Sequence, residues 1–149
     1  MEKNRFAHAV ASVVIEDIEV VYNPIWIYGK SGVGKTEFVQ DICFQVEKKW
    51  GKRVKYLSKE NISELINISS NDCKDMSLDM LNKYDLLVID NAESFINNKK
   101  CFAVFKELTE AFYYGKHQLI VVATRIPADL IDDMDLLEMI HKGLLVDME

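Results

Sequence analysis

The sequence contains little proline, glycine or cysteine and no long apolar run. Its 149 residues include 2 prolines and 6 glycines, which excludes collagen-like, low-complexity and disordered chains. The 3 cysteines lie far apart without a CxxC pair, so neither a disulfide framework nor a zinc site is indicated. No segment approaches the roughly 20 apolar residues that span a bilayer, and no signal-peptide core follows Met1. We therefore expect a cytoplasmic protein with reduced cysteines and no membrane contact.

Negative charge exceeds positive charge in this chain. The sequence carries 18 basic and 24 acidic residues, and the resulting net charge of −6 disfavours tight non-specific binding to nucleic acid. The densest basic stretch, residues 48–55, lies at the end of a predicted helix, where cations commonly complement the helix dipole. With 49% hydrophobic residues, a chain of this length buries roughly 70% of its unfolded surface. We expect a single domain over residues 1–149.

Short apolar runs alternate with amphipathic segments along the chain. Buried strands are predicted at residues 24–28, 53–57, 85–90, 118–123 and 144–146. Helices are predicted over residues 6–18, from the glycine-rich segment to Gly51, around 102–112, and from 128 to about 141. Residues 59–83 are polar and weakly periodic, and we expect one or two short helices there, with a loop near 69–72. The alternation predicts an α/β fold with a mainly parallel sheet.

A phosphate-binding motif lies between the first predicted strand and the helix that follows it. Gly29-Lys30-Ser31-Gly32-Val33-Gly34-Lys35-Thr36 matches the P-loop pattern GxxxxGK[ST]. Its glycines let successive backbone N–H groups point at phosphate oxygens, and the helix N-terminus adds positive potential. Lys35 is expected to hold the β- and γ-phosphates and Thr36 to coordinate Mg²⁺, with Asp90 at the end of a buried strand as the second metal ligand. The motif predicts ATP or ADP with Mg²⁺ as cofactors.

Several stretches together resemble the ATPase domain of the bacterial replication initiator DnaA. They are Asn4-Arg5-Phe6-Ala7-His8-Ala9, the run Tyr22-Asn23-Pro24-Ile25-Trp26-Ile27-Tyr28-Gly29 that leads into the P-loop, and residues 84–90 and 118–127. The resemblance extends over essentially the whole chain with almost no length changes. It implies the AAA+ core of the P-loop NTPases, a five-stranded parallel sheet flanked by helices. It also implies a role in replication initiation or helicase recruitment through contacts with a protein of the replication machinery.

The resemblance assigns roles to individual positions around the nucleotide. Asn4 and Arg5 correspond to the wall of the adenine site. Lys30, Ser31 and the remaining residues of the P-loop correspond to the phosphate cradle. Thr124 stands at the position of the sensor-1 residue, which reads the γ-phosphate side of the site.

Two positions depart from the pattern of an active ATPase. Asn91 follows Asp90, where AAA+ ATPases usually carry the acid that orients the attacking water, and an amide cannot accept a proton. Glu93 lies two positions further on, and the sequence alone does not place it in the site. The family's arginine finger aligns near Met139, and residues 137–142 contain no arginine. Because such a finger contributes roughly 10³- to 10⁵-fold to the rate, we expect a weak ATPase at most.

DNA binding is not expected from this sequence. Residues 61–83 correspond to the helices that touch single-stranded DNA in the family. Their basic residues are Lys74 and Lys83, against the acidic Glu64, Asp72, Asp75 and Asp79. A segment of net negative charge is a poor surface for phosphates. The 149 residues also hold no counterpart of the helical lid or the helix-turn-helix domain of the family.

Two alternatives remain open at the level of sequence. The first is a non-enzymatic interaction module, a degenerate initiator paralogue in which the nucleotide is at most a structural ligand. The second is a helicase-loader-type ATPase whose arginine finger comes in trans from a different protein.

Overall fold

Five parallel strands form the centre of the fold. A computed structural model of the chain describes residues 5–16, 20–65, 67 and 70–148. The strands are β1 (Ile25–Tyr28), β2 (Val54–Leu57), β3 (Leu86–Ile89), β4 (Gln118–Ala123) and β5 (Leu144–Asp147). Their order in the sheet is β2-β3-β4-β1-β5, and every neighbouring pair is parallel. The expected α/β fold with a five-stranded parallel sheet is therefore confirmed.

Helices cover both faces of this sheet. They are α1 (Arg5–Glu16), α2 (Lys35–Trp50), α3 (Ile62–Leu65), α4 (Ser70–Lys83), α5 (Ala92–Ile96), α6 (Lys99–Gly115), α7 (Pro127–Leu130) and α8 (Met134–His141), with a 3₁₀ turn at Lys59–Asn61. α2 ends as expected at Gly51, which has φ +61° and donates its N–H to the Glu47 carbonyl. The predicted end of the first helix at Ile18 lies outside the described residues.

Residues alternate between the two faces along each strand and fill two hydrophobic clusters. Ile25, Ile27, Val88 and Ile120 contribute to the cluster with α1 and α2. Trp26, Leu87, Ile89, Leu119 and Val121 contribute to the cluster with α3–α6 and α8. Both faces of the central strands β1, β3 and β4 are buried, which explains why these strands read as continuous apolar runs in the sequence.

Two predictions about the helices are wrong in detail, and one helix was missed. The predicted loop near residues 69–72 is in part helix, because α4 begins at Ser70 and packs along α6 through Cys73 and Met80. The predicted helical region 128–141 is two helices, and Asp133 caps the second by accepting the Leu136 N–H at 3.0 Å. The short helix α5 was not expected at all. In each case a tertiary contact or a cap overrides a weak local pattern.

The cysteines are free and buried, in agreement with their expected role in packing. Burial raises the pKa of the Cys43 thiol to about 12. Within the described part of the chain, no helix has the length and apolar character needed to cross a membrane.

Candidate nucleotide-binding site

The P-loop connects the carboxyl end of β1 to the amino end of α2. Gly32 and Gly34 have φ values of +90° and +91°, a conformation that side-chain-bearing residues rarely adopt. The Val33 N–H approaches the Lys30 carbonyl at 3.4 Å, and Gly34 is the N-cap of α2. The two glycines thus allow the chain to curl between strand and helix as the motif predicts.

The Lys35 ammonium lies across the loop that precedes it. Its Nζ donates to the carbonyl of Gly29 at 2.5 Å and to the carbonyl of Lys30 at 2.7 Å, while the Lys30 residue itself is exposed. These bonds hold a single positive charge at the mouth of the loop, where phosphate oxygens would compete for the same ammonium.

Asp90 directly follows β3 and forms hydrogen bonds to the P-loop and to the neighbouring strand β2. The residue is 2% exposed, and its Oδ2 accepts the Thr36 hydroxyl at 2.8 Å across 54 positions of sequence. Oδ2 also accepts the Tyr56 hydroxyl, and Oδ1 accepts the Asn91 N–H at 2.8 Å. Burial, together with the hydrogen bond to Asp90, raises the pKa of Tyr56. Three donors therefore satisfy the buried carboxylate and fix its orientation toward Thr36.

Asn91 turns the chain sharply at the end of β3. Its φ of 55° and ψ of 51° place it in the left-handed region, which asparagine tolerates better than most residues. The turn starts α5, whose second residue is Glu93. As a result Glu93 points back to the sheet edge, a position that the sequence alone did not assign.

Glu93 and Thr124 are in direct contact. The Glu93 Oε2 accepts both the Thr124 N–H and the Thr124 hydroxyl, each at 2.5 Å, across 31 positions of sequence. β3 and β4 are neighbours in the sheet, so the residues that follow them meet at one edge. An acidic residue in the first turn of a short helix after a buried strand is the local signal that could have indicated this contact.

These residues line one cleft at the carboxyl edge of the sheet, with a volume of about 210 Å³. The predicted site residues that it brings together are Ser31, Gly32, Gly34, Lys35, Thr36, Asp90, Asn91 and Thr124. Glu37 and Glu93 complete the charged lining. Among the side chains that line the cleft, one ammonium thus faces three carboxylates.

Not every predicted site residue lines the cleft. Gly29, Lys30 and Val33 of the P-loop are not part of its lining, and Val33 packs against the hydrophobic cluster with α1 and α2. Asn4 lies outside the described residues, as does the side chain of Arg5, so their place beside adenine stays a prediction. Met139, the position aligned with the arginine finger, is 8% exposed and packs in the interior. Thr124 is followed by Arg125, an exposed residue whose carbonyl accepts the Trp26 indole N–H at 2.9 Å.

The segment aligned with DNA-contacting helices keeps its negative character in the fold. Of its two lysines, Lys83 forms an i,i+4 ion pair with Asp79 at 3.0 Å on α4, and this bond raises the pKa of the lysine.

The strand order and the P-loop between β1 and α2 define the chain as an AAA+ fold of the P-loop class. The family model of the bacterial DnaA ATPase domain matches residues 2–147. The chain therefore belongs to the DnaA ATPase domain family.

Individual relatives agree with this assignment. The chromosomal replication initiator protein DnaA of Limosilactobacillus reuteri is 31% identical over 152 residues, which cover 99% of this chain and 34% of the relative. This chain thus spans about a third of the length of that relative. A solved structure of the replication initiator DnaA bound to AMPPCP and single-stranded DNA superposes with a TM-score of 0.83 at 28% identity, over 100% of this chain and 47% of the other. The DnaC helicase loader shares the fold, with a TM-score of 0.71 at 15% identity over 99% of this chain and 90% of the loader.

Proposed function

We propose that this chain binds ATP or ADP with Mg²⁺ in the cleft behind the P-loop. The observation that carries the proposal is the contact between Thr36 and Asp90, 2.8 Å apart, beside the Lys35 ammonium. A P-loop hydroxyl and a strand-end carboxylate in this arrangement are the protein oxygens that hold Mg²⁺ in P-loop proteins. The AMPPCP-bound relative supports the same ligand class.

The charges of the cleft fit a magnesium nucleotide better than a free one. Oxygen donors from a hydroxyl and a carboxylate suit Mg²⁺, which keeps several waters and takes further oxygens from phosphates. The carboxylates of Glu37, Asp90 and Glu93 oppose an uncompensated polyphosphate, whereas a bound divalent cation offsets part of that charge.

Hydrolysis of the bound nucleotide is proposed to be slow or absent. Asn91 replaces the acid that would accept a proton from the attacking water, and the residue at the finger position, Met139, is buried. Loss of a general base alone typically costs 10²- to 10⁴-fold in rate. On this proposal ATP acts mainly as a conformational ligand.

The biological role proposed is regulation of replication initiation or recruitment of a helicase in the cytoplasm, through contacts with proteins rather than DNA. Family membership supports the process, and the negative charge of the segment 61–83 argues against a DNA surface there.

Calorimetric titration with ATP and with ADP, each with Mg²⁺, tests the binding proposal. Micromolar or tighter binding is expected, with loss in Lys35→Ala and no change in Lys48→Ala, a control on the exposed part of the same helix. A ligand at 100 times its dissociation constant should also stabilise the fold by about 2.7 kcal/mol. No heat and no thermal stabilisation would contradict the proposal and favour a non-enzymatic interaction module.

A multiple-turnover assay tests the hydrolysis proposal separately. Wild type should turn over far more slowly than 1 s⁻¹, and Asn91→Asp should increase the rate because it restores a proton acceptor at the end of β3. A wild-type rate near 1 s⁻¹ that disappears in Lys35→Ala would show a genuine ATPase instead.

A further inference from the structure

Both hydrogen-bond donors of Thr124 are occupied by one carboxylate oxygen. The N–H and the hydroxyl each lie 2.5 Å from the Glu93 Oε2, and both residues line the cleft that contains Lys35 and Thr36. Charge-assisted hydrogen bonds of this kind are about twice as strong as bonds between neutral groups. Thr124 is therefore held by Glu93 and has no donor to spare.

Thr124 lines the same cleft as Lys35 and Thr36, so a terminal phosphate that extends from Lys35 to this end of the cleft would need the same donors. The Thr124 hydroxyl carries one proton and its backbone nitrogen carries one, so neither can serve a carboxylate and a phosphate at full strength together. The two acceptors are also both anionic and repel each other. ADP lacks the third phosphate and leaves the contact between Glu93 and Thr124 undisturbed.

We propose that Glu93 sets the nucleotide preference of this chain by competing with the γ-phosphate for Thr124, so that ADP binds more tightly than ATP. The inference rests on the proposed nucleotide site. It adds that the site prefers ADP and that Glu93 is the residue responsible for this preference. ATP binding requires the Glu93 side chain to leave Thr124, and that release distinguishes the ATP state from the ADP state.

The release of Thr124 requires only the Glu93 side chain to move, because the backbone of α5 is held in place by its buried residues. Ala92 precedes Glu93 on α5 and Phe95 lies two residues after it; they are 0% and 2% exposed, so the helix is anchored in the core. The Glu93 residue itself is partly exposed, which allows its carboxylate to turn into solvent when it is displaced.

The test compares Mg²⁺–ADP and Mg²⁺–ATP by calorimetry in wild type, Glu93→Ala and Glu37→Ala. Glu37 supplies the matched control, because it is another carboxylate of the same cleft and has no contact with Thr124 among those described. Glu93→Ala should tighten ATP binding at least tenfold and change ADP binding less than twofold. Glu37→Ala removes the same charge from the cleft and should change the ratio of ATP to ADP affinity far less, since it releases no donor of Thr124.

The backbone amide of Thr124 gives an independent readout by NMR. Its resonance should move in Glu93→Ala without any ligand, and in wild type it should move with ATP but not with ADP. An unchanged ratio of ATP to ADP affinity in Glu93→Ala, or weaker ATP binding in that variant, overturns the inference while leaving the nucleotide site in place. Absence of binding by both nucleotides in wild type contradicts the proposed function itself.

Discussion

Gly143 lies where the chain enters β5, and an alanine there should disrupt the sheet beside the P-loop. A Cβ atom added at Gly143 would sit 1.9 Å from the Pro24 carbonyl oxygen and 2.8 Å from the Pro24 nitrogen. Both are backbone atoms of a buried residue that leads directly into β1. No rotation of a side chain can relieve this contact, so the backbone has to move.

The size of the movement follows from the geometry. Carbon and oxygen approach to about 3.3 Å in close backbone contacts, so the two segments must separate by roughly 1.4 Å. The Leu144 N–H donates to the same Pro24 carbonyl at 3.0 Å, and this bond is lost when they separate. Overpacking typically costs about 1–3 kcal/mol, and a polar group left unpaired costs about 1–3 kcal/mol more. We expect Gly143→Ala to lower the free energy of unfolding by about 2–6 kcal/mol.

Urea denaturation of Gly143→Ala and Gly115→Ala provides the measurement and its control. A Cβ at Gly115 would also be close to a neighbour, at 2.6 Å, but that neighbour is the flexible end of the Leu81 side chain. Alanine also has a higher helix propensity than glycine, by up to about 1 kcal/mol, which offsets the contact at the end of α6. This variant should therefore change the free energy of unfolding by less than about 1 kcal/mol. Equal losses in the two variants would refute the reasoning that backbone contact at Gly143 decides the cost.

Three further predictions concern stability and reactivity. Asp133→Ala removes the cap of α8 and the ion pair to Lys106 at 2.6 Å, and it should cost about 1 kcal/mol or more in urea denaturation, whereas Asp133→Asn keeps the cap acceptor and should cost less. The Arg53 guanidinium lowers the pKa of Asp85, so the stability difference between wild type and Asp85→Asn should be present at pH 7. That difference should shrink below about pH 4, as the pH falls toward the lowered pKa. Because burial raises the pKa of Cys43 to about 12, Ellman's reagent should leave this thiol unmodified in the native state and modify it after denaturation. Equal stability losses in Asp133→Ala and Asp133→Asn would contradict the first prediction, and a stability difference between wild type and Asp85→Asn that does not depend on pH would contradict the second. Rapid modification of Cys43 in the native protein would contradict the third.

Much of the fold was predictable because its signals are local. The central strands β1, β3 and β4 are short apolar runs buried on both faces, and β4 coincides with its prediction at Gln118–Ala123. The P-loop combines glycines, Lys35 and Thr36 in one continuous segment between a strand and a helix, so its place in the fold followed from the pattern. Asp90 was predictable for the same reason, since it directly ends an apolar strand.

The contacts across the site depended on the tertiary structure. β3 and β4 are neighbours in the sheet, and this brings Glu93 to Thr124 although 31 positions separate them. Tyr56 reaches Asp90 in the same way from β2. Single polar residues carry no periodic signal, and their partners are set by the order of strands and by the turn at Asn91. The chemical elements of the site could therefore be predicted from local sequence, but their pairing required the packed sheet, because that sheet alone brings its strand ends to one edge.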